Sequence, residues 1–172
     1  MILYRTPTIA DGPELAEMAR TSFVETFGHL YRPEDLDAFC AAAFGPDTGI
    51  PAQLHDPALS FRIAAVDGRI IGFAKLGPRT LPVENADPRA MELRQLYVLS
   101  PWHGQGVAQT LMDWTITTAR AAGAPQLYLS VFVDNHRAQR FYQRYGFADI
   151  GRYSFMVGAH EDEDRLYQLD LA

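Results

Sequence analysis

A turn of small residues in the second half of the chain is the clearest place where the sequence could do chemistry. The segment His103-Gly104-Gln105-Gly106-Val107-Ala108 follows an apolar run and precedes the periodicity of a helix. The first N–H groups of a helix have no partner within it, and the helix dipole favours an anion beside them. Gly104 and Gly106 keep side chains away, and Ala108 allows close approach. The segment therefore predicts a phosphate-binding turn, with an ordinary strand-to-helix turn as the alternative.

The spacing of this turn excludes two common nucleotide-binding motifs. It lacks the Lys-Ser/Thr ending of a P-loop. In a dinucleotide fingerprint the third glycine would fall at Gln109, and no acidic residue closes a following strand about 20 residues further on. Nucleoside triphosphates and nicotinamide dinucleotides are therefore disfavoured as ligands.

A second segment predicts a short helix that begins after Asn135 and ends at Gly146. It reads Asn135-His136-Arg137-Ala138-Gln139-Arg140-Phe141-Tyr142-Gln143-Arg144-Tyr145-Gly146-Phe147. Together with the turn, it resembles the GNAT superfamily of N-acetyltransferases, whose helix reads Asn-x-x-Ala-x-x-Phe-Tyr-x-x-x-Gly-Phe. The phosphate turn of the family reads Gln/Arg-x-x-Gly-x-Gly/Ala. This chain matches at Gly106 and Ala108 and departs at His103, which we expect to modify affinity without abolishing it, because the donors are mainly backbone N–H groups.

The resemblance implies that acetyl-CoA is the cosubstrate and that its acetyl group passes to a primary amine by direct attack in a ternary complex. Leu96-Tyr97-Val98 and Pro101 resemble the family's fourth strand and the turn after it. The backbone N–H groups of Leu96 and Val98 are then expected to face the thioester carbonyl and the pantetheine. The residues implied at the acetyl-CoA site are Leu96, Tyr97, Val98, His103, Gly104, Gln105, Gly106, Val107, Ala108, Asn135, Ala138 and Tyr142.

The resemblance implies specific roles for two of these residues, Tyr142 and Asn135. Tyr142 occupies the general-acid position of the family, where a phenol could protonate the CoA thiolate. A tyrosine that only packs the helix is the alternative. Asn135 is expected to bond the pantetheine arm, and a plain helix N-cap is an interpretation that can hold with or without that role.

Glu92 is the candidate general base, because it lies on the same predicted strand as the acetyl-CoA contacts. Strand alternation predicts that its side chain points to the same side as Leu96 and away from Leu93 and Gln95. An exposed strand carboxylate, and deprotonation through a water chain, are the alternatives. Tyr97 is a second candidate for a base or a substrate contact, with core packing as its alternative.

Further segments indicate the class of acceptor. Residues 23–36, Phe155–Gly158 and the acidic run His160–Asp164 resemble bacterial polyamine N-acetyltransferases. An acidic, aromatic pocket would suit a polyamine through charge and cation–π attraction. The simpler interpretation of His160–Asp164 is a solvated hairpin turn. A second hypothesis for the whole chain is an acetyl-CoA-binding sensor or regulatory module without turnover, and the presence of Tyr142 favours the enzyme.

The elements that must position these residues follow from periodicity and turn signals. The resemblance implies an α/β fold in one domain, residues 1–172, with a mixed, mostly antiparallel central sheet of about seven strands and four or five flanking helices. Asp11 and Glu14 predict a capping box at the start of a helix, and Asp67-Gly68 predicts a hairpin. Residues 77–90 are predicted to form a loop that is long enough to reach over a site. Strands are predicted at 2–6, 61–66, 70–76, 91–99, 126–133, 150–157 and 165–171, with helices at 12–23, 33–43, 108–119 and 136–145.

Composition and charge exclude several classes of protein. With 172 residues, 48% of them hydrophobic, and a formal charge of −6, the chain suits neither disorder nor binding to nucleic acid or an anionic membrane. A neutral or cationic small amine is the partner expected. No signal-like or membrane-spanning segment is present, so a cytoplasmic location is expected.

The remaining reactive side chains predict little chemistry of their own. The single cysteine, Cys40, cannot form an internal disulfide, and its spacing predicts a small core residue. A hydrolase with Cys40 as nucleophile would require a neighbouring histidine, which that core position disfavours. The five histidines lack metal-ligand spacing, so no metal is expected. The GNAT family often forms homodimers, and this sequence identifies no edge for one.

Overall fold

All seven strands belong to one sheet in the computed structural model, which describes residues 1–172. The strands are β1 (Leu3–Arg5), β2 (Ser60–Val66), β3 (Arg69–Pro78), β4 (Met91–Val98), β5 (Gln126–Phe132), β6 (Ala148–Val157) and β7 (His160–Asp170). Their order across the sheet is β1-β2-β3-β4-β5-β7-β6, and every neighbouring pair is antiparallel except β4 and β5. The mixed, mostly antiparallel sheet expected from the sequence is confirmed.

Five α-helices flank this sheet. They are α1 (Gly12–Phe27), α2 (Pro33–Phe44), α3 (Ile50–Gln53), α4 (Val107–Ala121) and α5 (His136–Arg144). The first three pack on one face and the last two on the other. Asp67 and Gly68, between β2 and β3, both have positive φ, as the predicted two-residue hairpin requires. None of the helices combines the length and the apolar content needed to cross a membrane.

Each face of the sheet has its own apolar core. The first core joins α1 and α2 to the sheet through Leu15, Ala19, Phe23, Cys40, Phe44, Ile63 and Phe73. The second joins α4 to the sheet through Val107, Leu111, Met112, Ala119, Ala74, Leu93 and Val98. Full burial of a large apolar side chain contributes about 1.5–3 kcal/mol, so both layers of helices are held firmly. The core position predicted for Cys40 is confirmed.

Strand β4 contains a β-bulge that changes the faces predicted for its side chains. Two adjacent residues of β3, Lys75 and Leu76, pair with Gln95 and Leu93. Arg94, which lies between them on β4, therefore has no pairing residue on β3. The extra residue places Glu92 on the same face as Gln95. The prediction that these two side chains point to opposite faces is therefore wrong, because strict alternation holds only in a regular strand.

Strands β4 and β5 diverge soon after they meet. Met91 and Glu92 pair with Leu127 and Tyr128, and the pairing stops there although both strands continue. Backbone groups of a strand alternate between its two edges. Part of the β4 edge therefore faces an open gap, which passes through the sheet between the two layers of helices.

The acidic run His160–Asp164, expected as a solvated turn, is instead the first half of β7. The turn is Gly158-Ala159, where Gly158 has a φ of 57°. Asp162 and Asp164 are two residues apart on a paired strand, so they share a face. Both point to the interior, where they are 7% and 6% exposed.

The capping box predicted for Asp11 and Glu14 does not form. The Asp11 carboxylate accepts hydrogen bonds from the Arg5 guanidinium and from the N–H of Thr8. The Glu14 carboxylate accepts a hydrogen bond from the N–H of Ile70 at 2.9 Å. The prediction is wrong because each carboxylate has another partner, and the partner of Glu14, 56 residues away, cannot be read from local sequence.

Candidate active site

A cavity of about 1130 Å³ runs through the sheet at the gap between β4 and β5. The glycine turn, α4 and α5 line it on one face of the sheet, and we refer to that part as the arginine end. Side chains of α1, α2 and β7 line it on the other face, and we refer to that part as the aspartate end. Two molecules bound on opposite faces of the sheet could therefore meet inside it.

The glycine turn lies at the arginine end and presents backbone donors without partners. Gly104 and Gly106 have φ of 74° and 82°, and a Cβ atom on either would meet no atom within 4 Å. The N–H groups from Gly104 to Gln109 donate to no backbone carbonyl. Helix α4 begins at Val107, so its positive dipole end adds to these donors. The geometry fits a phosphate, in agreement with the chemistry expected from the sequence.

Three arginines of α5 line the same end of the cavity: Arg137, Arg140 and Arg144. Steps of three and four residues place their side chains on one side of the helix. Their guanidinium groups suit a ligand that carries several phosphates. Sequence reasoning missed these residues, although their spacing within the predicted helix was an available signal.

His103, which departs from the family pattern, connects two parts of the arginine end. Its Nε2 lies 2.7 Å from the carbonyl oxygen of Val98, so this nitrogen carries the proton and donates it. Its Nδ1 is then an acceptor and contacts the guanidinium of Arg137. The imidazole therefore positions a positive charge beside the glycine turn.

The open edge of β4 presents backbone donors to the gap. The N–H of Leu99 donates to the carbonyl of Ile71 on β3 at 2.9 Å. Because backbone groups alternate between the two edges, Val98 and Leu96 direct theirs away from β3. The Val98 carbonyl is indeed bound by His103 rather than by a strand. The N–H groups of Leu96 and Val98 can therefore bind a ligand carbonyl in the gap.

Tyr142 and Asn135 both line the cavity from α5 and the residue before it. The Tyr142 ring packs edge-on against Phe147, with ring centroids 5.7 Å apart. Burial, and to a smaller extent Tyr97, raises the pKa of Tyr142, so its phenol stays protonated and can donate a proton. Asn135 accepts a hydrogen bond from the N–H of Ala138 at 3.3 Å, which confirms the N-cap interpretation.

At the aspartate end, two buried carboxylates face a group of aromatic rings. The Tyr31 hydroxyl donates to Oδ2 of Asp162, and Nε2 of His160 lies 3.1 Å from Oδ1 of the same residue. The aromatic residues that line this end are Phe23, Phe27, Tyr31, Phe39, Tyr97, Phe132 and Phe155. Carboxylates attract a cation, and aromatic faces add cation–π attraction. This end of the cavity therefore suits an ammonium group.

Asp164 has fewer partners than Asp162. Its polar neighbour on β5 is the Ser130 hydroxyl. Burial, and to a smaller extent the charge of Asp162, raises the pKa of Asp164 to about 7, although Ser130 acts in the opposite direction. A carboxyl group in this environment can take up and release a proton near neutral pH.

Lys75 and Gln95 form a cross-strand pair on the cavity wall. The Nζ of Lys75, the single lysine of the chain, donates to Oε1 of Gln53 at 2.7 Å. Burial lowers the pKa of Lys75 to about 8, so most of the group is still charged at pH 7. Oε1 of Gln95 is buried and has no hydrogen-bond partner. A buried acceptor without a partner is costly, and a ligand N–H could satisfy it.

Glu92 does not line the cavity. Its Oε2 accepts hydrogen bonds from the N–H and the hydroxyl of Thr80, at 2.6 and 2.9 Å, and from the N–H of Leu81 at 3.1 Å. These residues belong to the loop of residues 79–90, which packs against Tyr128 and lies away from the cavity instead of reaching over it. The structure thus places Glu92 as an anchor of this loop.

Two further sequence alternatives have little support from their surroundings. Tyr97 lines the cavity and packs edge-on against Phe73, and burial raises the pKa of Tyr97 to about 12. A phenol of this kind can donate a proton at neutral pH but cannot act as a base. Burial also raises the pKa of the Cys40 thiol, which disfavours the thiolate that a nucleophile needs.

Comparisons with known proteins agree with this geometry. Residues 13–147 match the model of the acetyltransferase (GNAT) family. An uncharacterized N-acetyltransferase of Mycobacterium tuberculosis is 35% identical over 156 residues, which cover 91% of this chain and 95% of that protein. The aminoalkylphosphonate N-acetyltransferase of Salmonella typhimurium is 33% identical over 99 residues, which cover 58% of this chain and 63% of that protein.

Solved structures share the fold at low sequence identity. The PaiA N-acetyltransferase of Thermoplasma acidophilum, in complex with coenzyme A, has a TM-score of 0.77 at 20% identity, with 99% of both chains covered. The yncA protein of Salmonella typhimurium, solved with acetyl-CoA, has a TM-score of 0.71 at 19% identity, with 100% of this chain and 95% of that chain covered. Because the family match spans the glycine turn and α5, the chain belongs to the acetyltransferase (GNAT) family and is an acetyl-CoA-dependent N-acetyltransferase.

Proposed function

We propose that this enzyme acetylates a small cationic primary amine, with polyamines as the first class of acceptor. The observation that carries the proposal is the polarity of its cavity. Arginines line one end, buried aspartates line the other, and the gap in the sheet lies between them. A polyanionic donor and a cationic acceptor would each be drawn to the complementary end and would meet at the gap.

The arginine end has the features needed to hold acetyl-CoA. The N–H groups of the glycine turn would bind the pyrophosphate, and the α5 arginines would offset its charge. Asn135 would bind the pantetheine arm, and Ala138 would leave room for that arm beside α5. The N–H groups of Leu96 and Val98 would bind the arm and the thioester carbonyl at the open edge of β4.

Two features of the gap would lower the barrier to transfer. A backbone N–H aimed at the thioester oxygen would stabilise the negative charge that develops there, an effect of about 10²–10³ in rate in other enzymes. The Tyr142 phenol, protonated because burial raises its pKa, would give its proton to the departing thiolate. General acid catalysis of this kind contributes about 10²–10⁴ in rate.

The aspartate end has the features needed to orient an amine. Tyr31 and His160 hold the Asp162 carboxylate in place, where it would attract the ammonium group. The unpartnered Oε1 of Gln95 would accept one of its N–H groups. Aromatic rings would pack against the methylene groups between the nitrogens of a polyamine. Every one of these features favours a donor-rich, cationic acceptor.

Lys75 supports a second class of acceptor, the aminoalkylphosphonates. The Salmonella typhimurium relative is named for such compounds, which carry both an amine and an anion. Lys75 places a cation in the cavity wall, and it could bind the phosphonate while Asp162 attracts the amine. Replacement of Lys75 by methionine would then raise KM for this class and leave polyamines unaffected.

The deciding experiment measures release of the CoA thiol from acetyl-CoA with a panel of amines. The panel contains polyamines, aminoalkylphosphonates, amino acids, aminoglycosides and short peptides. We expect turnover with polyamines, reduced about 10²–10⁴-fold in Tyr142→Phe. Tyr4→Phe on β1, outside the cavity, is the matched control and should keep its activity. Binding of acetyl-CoA without thiol release for any amine would contradict the proposal and favour a sensor.

A further inference from the structure

We propose that Asp164 is the general base that deprotonates the acceptor amine and that Asp162 is the residue that anchors it. This assignment rests on the proposed function, since it requires that an ammonium group occupy the aspartate end. The two carboxylates lie two residues apart on β7, and both line the cavity. Their surroundings differ in a way that separates the two roles.

The hydrogen bonds of Asp162 hold its carboxylate in a fixed position. Tyr31 donates to its Oδ2, and His160 lies within hydrogen-bond distance of its Oδ1. Both oxygens are therefore engaged with neighbouring side chains. Asp164 has the Ser130 hydroxyl as a polar neighbour and forms no salt bridge. Its carboxylate therefore has the remaining capacity to accept a proton from the substrate.

Asp164 also lies on the side of the gap from which the amine would approach the thioester. It pairs with Phe132 on β5, the strand that forms one wall of the gap. Tyr97, on the other wall, lies close enough for the Asp164 charge to influence its pKa. Tyr142 approaches the gap from the opposite face of the sheet. Base and acid would therefore act on opposite sides of the thioester, where the amine arrives and the thiolate leaves.

The groups that face Asp164 make it suitable for work near neutral pH. The charged and titratable side chains around it are Asp162 on β7, Tyr97 on β4, Tyr153 on β6, Tyr31 before α2 and, in contact with Asp162, His160. The Ser130 hydroxyl on β5 completes this environment. Burial raises the pKa of Asp164 to about 7, which is the range in which a general base works best at neutral pH.

In the proposed reaction, Asp164 deprotonates the ammonium group before the amine attacks the thioester. The Asp164 carboxylate takes one proton from the ammonium group and leaves a neutral amine. The amine nitrogen forms a bond to the thioester carbonyl carbon, the C–S bond breaks, and Tyr142 protonates the thiolate. The amide nitrogen then returns a proton to the Tyr142 phenolate, and Asp164 releases its proton to solvent.

The test compares kcat of the wild type and of Asp164→Asn as a function of pH, with spermidine as acceptor. If another amine of the panel is the one that turns over, that amine replaces spermidine. We expect Asp164→Asn to lower kcat by about 10²–10⁴-fold and to remove the inflection near pH 7, with KM for acetyl-CoA unchanged. Asp164→Glu should restore part of kcat together with an inflection.

Two further variants separate a base from an anchor and from a general effect of charge. Asp162→Asn should chiefly raise KM for the amine and keep the inflection. Asp170→Asn, on the exposed end of the same strand, is the matched control and should behave like the wild type. A rise in KM alone for Asp164→Asn, with kcat and its inflection intact, would overturn the assignment.

Thermal unfolding of Asp164→Asn distinguishes a loss of kcat from a loss of folding. Because the folded-state pKa of Asp164 is raised, its ionisation costs stability that grows as the pH rises from about 4 to about 7. Asp164→Asn should therefore unfold at a higher temperature than the wild type at pH 8, and the difference should shrink toward pH 4. Absence of turnover with every amine would contradict the proposed function itself, whereas an active variant with an unchanged pH profile would contradict only the base.

Discussion

The arginine end and the aspartate end of the cavity are built from different kinds of sequence. The arginine end comes almost entirely from two continuous segments, residues 96–109 and 135–145, and it uses many backbone groups. The aspartate end combines side chains from α1, α2, the residues between them and five strands, β3 to β7. Its hydrogen bond between Tyr31 and Asp162 joins residues that are 131 positions apart. A binding site made of backbone groups is thus visible as a local motif, whereas one made of distant side chains is not.

The largest effect that would test this comparison is expected at the backbone of the arginine end. Gly106→Val puts a β-branched residue at a φ of 82°, which costs about 1–3 kcal/mol of strain. Because the strain falls on the turn proposed to hold the phosphates, the dissociation constant for CoA should rise about 10–100-fold, measured by calorimetry. Gly68→Val, at a φ of 80° in the β2–β3 hairpin, should lose similar stability and bind CoA normally. Equal effects of both variants on CoA binding would show that the glycine turn has no special role in holding the phosphates.

Removal of one charge from each end of the cavity should affect the binding of a different substrate. Arg140→Gln should raise KM for acetyl-CoA about fivefold, on the order of 1 kcal/mol, and leave KM for the amine unchanged. The effect should weaken at high salt, because the guanidinium is exposed to solvent. Asp162→Asn should show the reverse pattern. If either variant altered both KM values equally, the two ends would not act as separate binding sites.

Glu92 provides a test in which stability, rather than activity, is expected to change. Glu92→Gln weakens the acceptor for Thr80 and Leu81 and should cost about 1–3 kcal/mol. Thermal unfolding should shift down by roughly 2–4 °C for each kcal/mol in a chain of this size. The pH profile of kcat should stay as in the wild type. Loss of its inflection in this variant would return the role of base to Glu92 and remove it from Asp164.

The smallest effect is expected at the position where the turn departs from the family pattern. His103→Gln keeps a side-chain donor for the Val98 carbonyl and should change the dissociation constant for CoA by less than about threefold. His103→Ala removes the contact with Arg137 and should raise it about fivefold. Identical affinities for the two variants would show that the imidazole does not position Arg137.

Local signals along the chain predicted most of the fold. The seven strands, the hairpin at Asp67-Gly68 and the helix after the glycine turn all depend on patterns within a few residues. The errors occurred where a distant partner decides. The bulge at Arg94 is defined by its pairing with β3, and Glu14 accepts a hydrogen bond from the N–H of Ile70 instead of completing a capping box. The acidic run joined β7 because it pairs with β6, which its composition does not predict.

The sequence by itself determined the family, the glycine turn and the helix of Tyr142, because these depend on backbone geometry and short spacings that a local motif records. Only the tertiary structure decided which carboxylates reach the gap. It buried Glu92 under a loop and turned Asp162 and Asp164 toward the cavity. The physical reason is that a carboxylate's partners, burial and pKa come from elements far away in the chain, which meet only when the sheet is assembled.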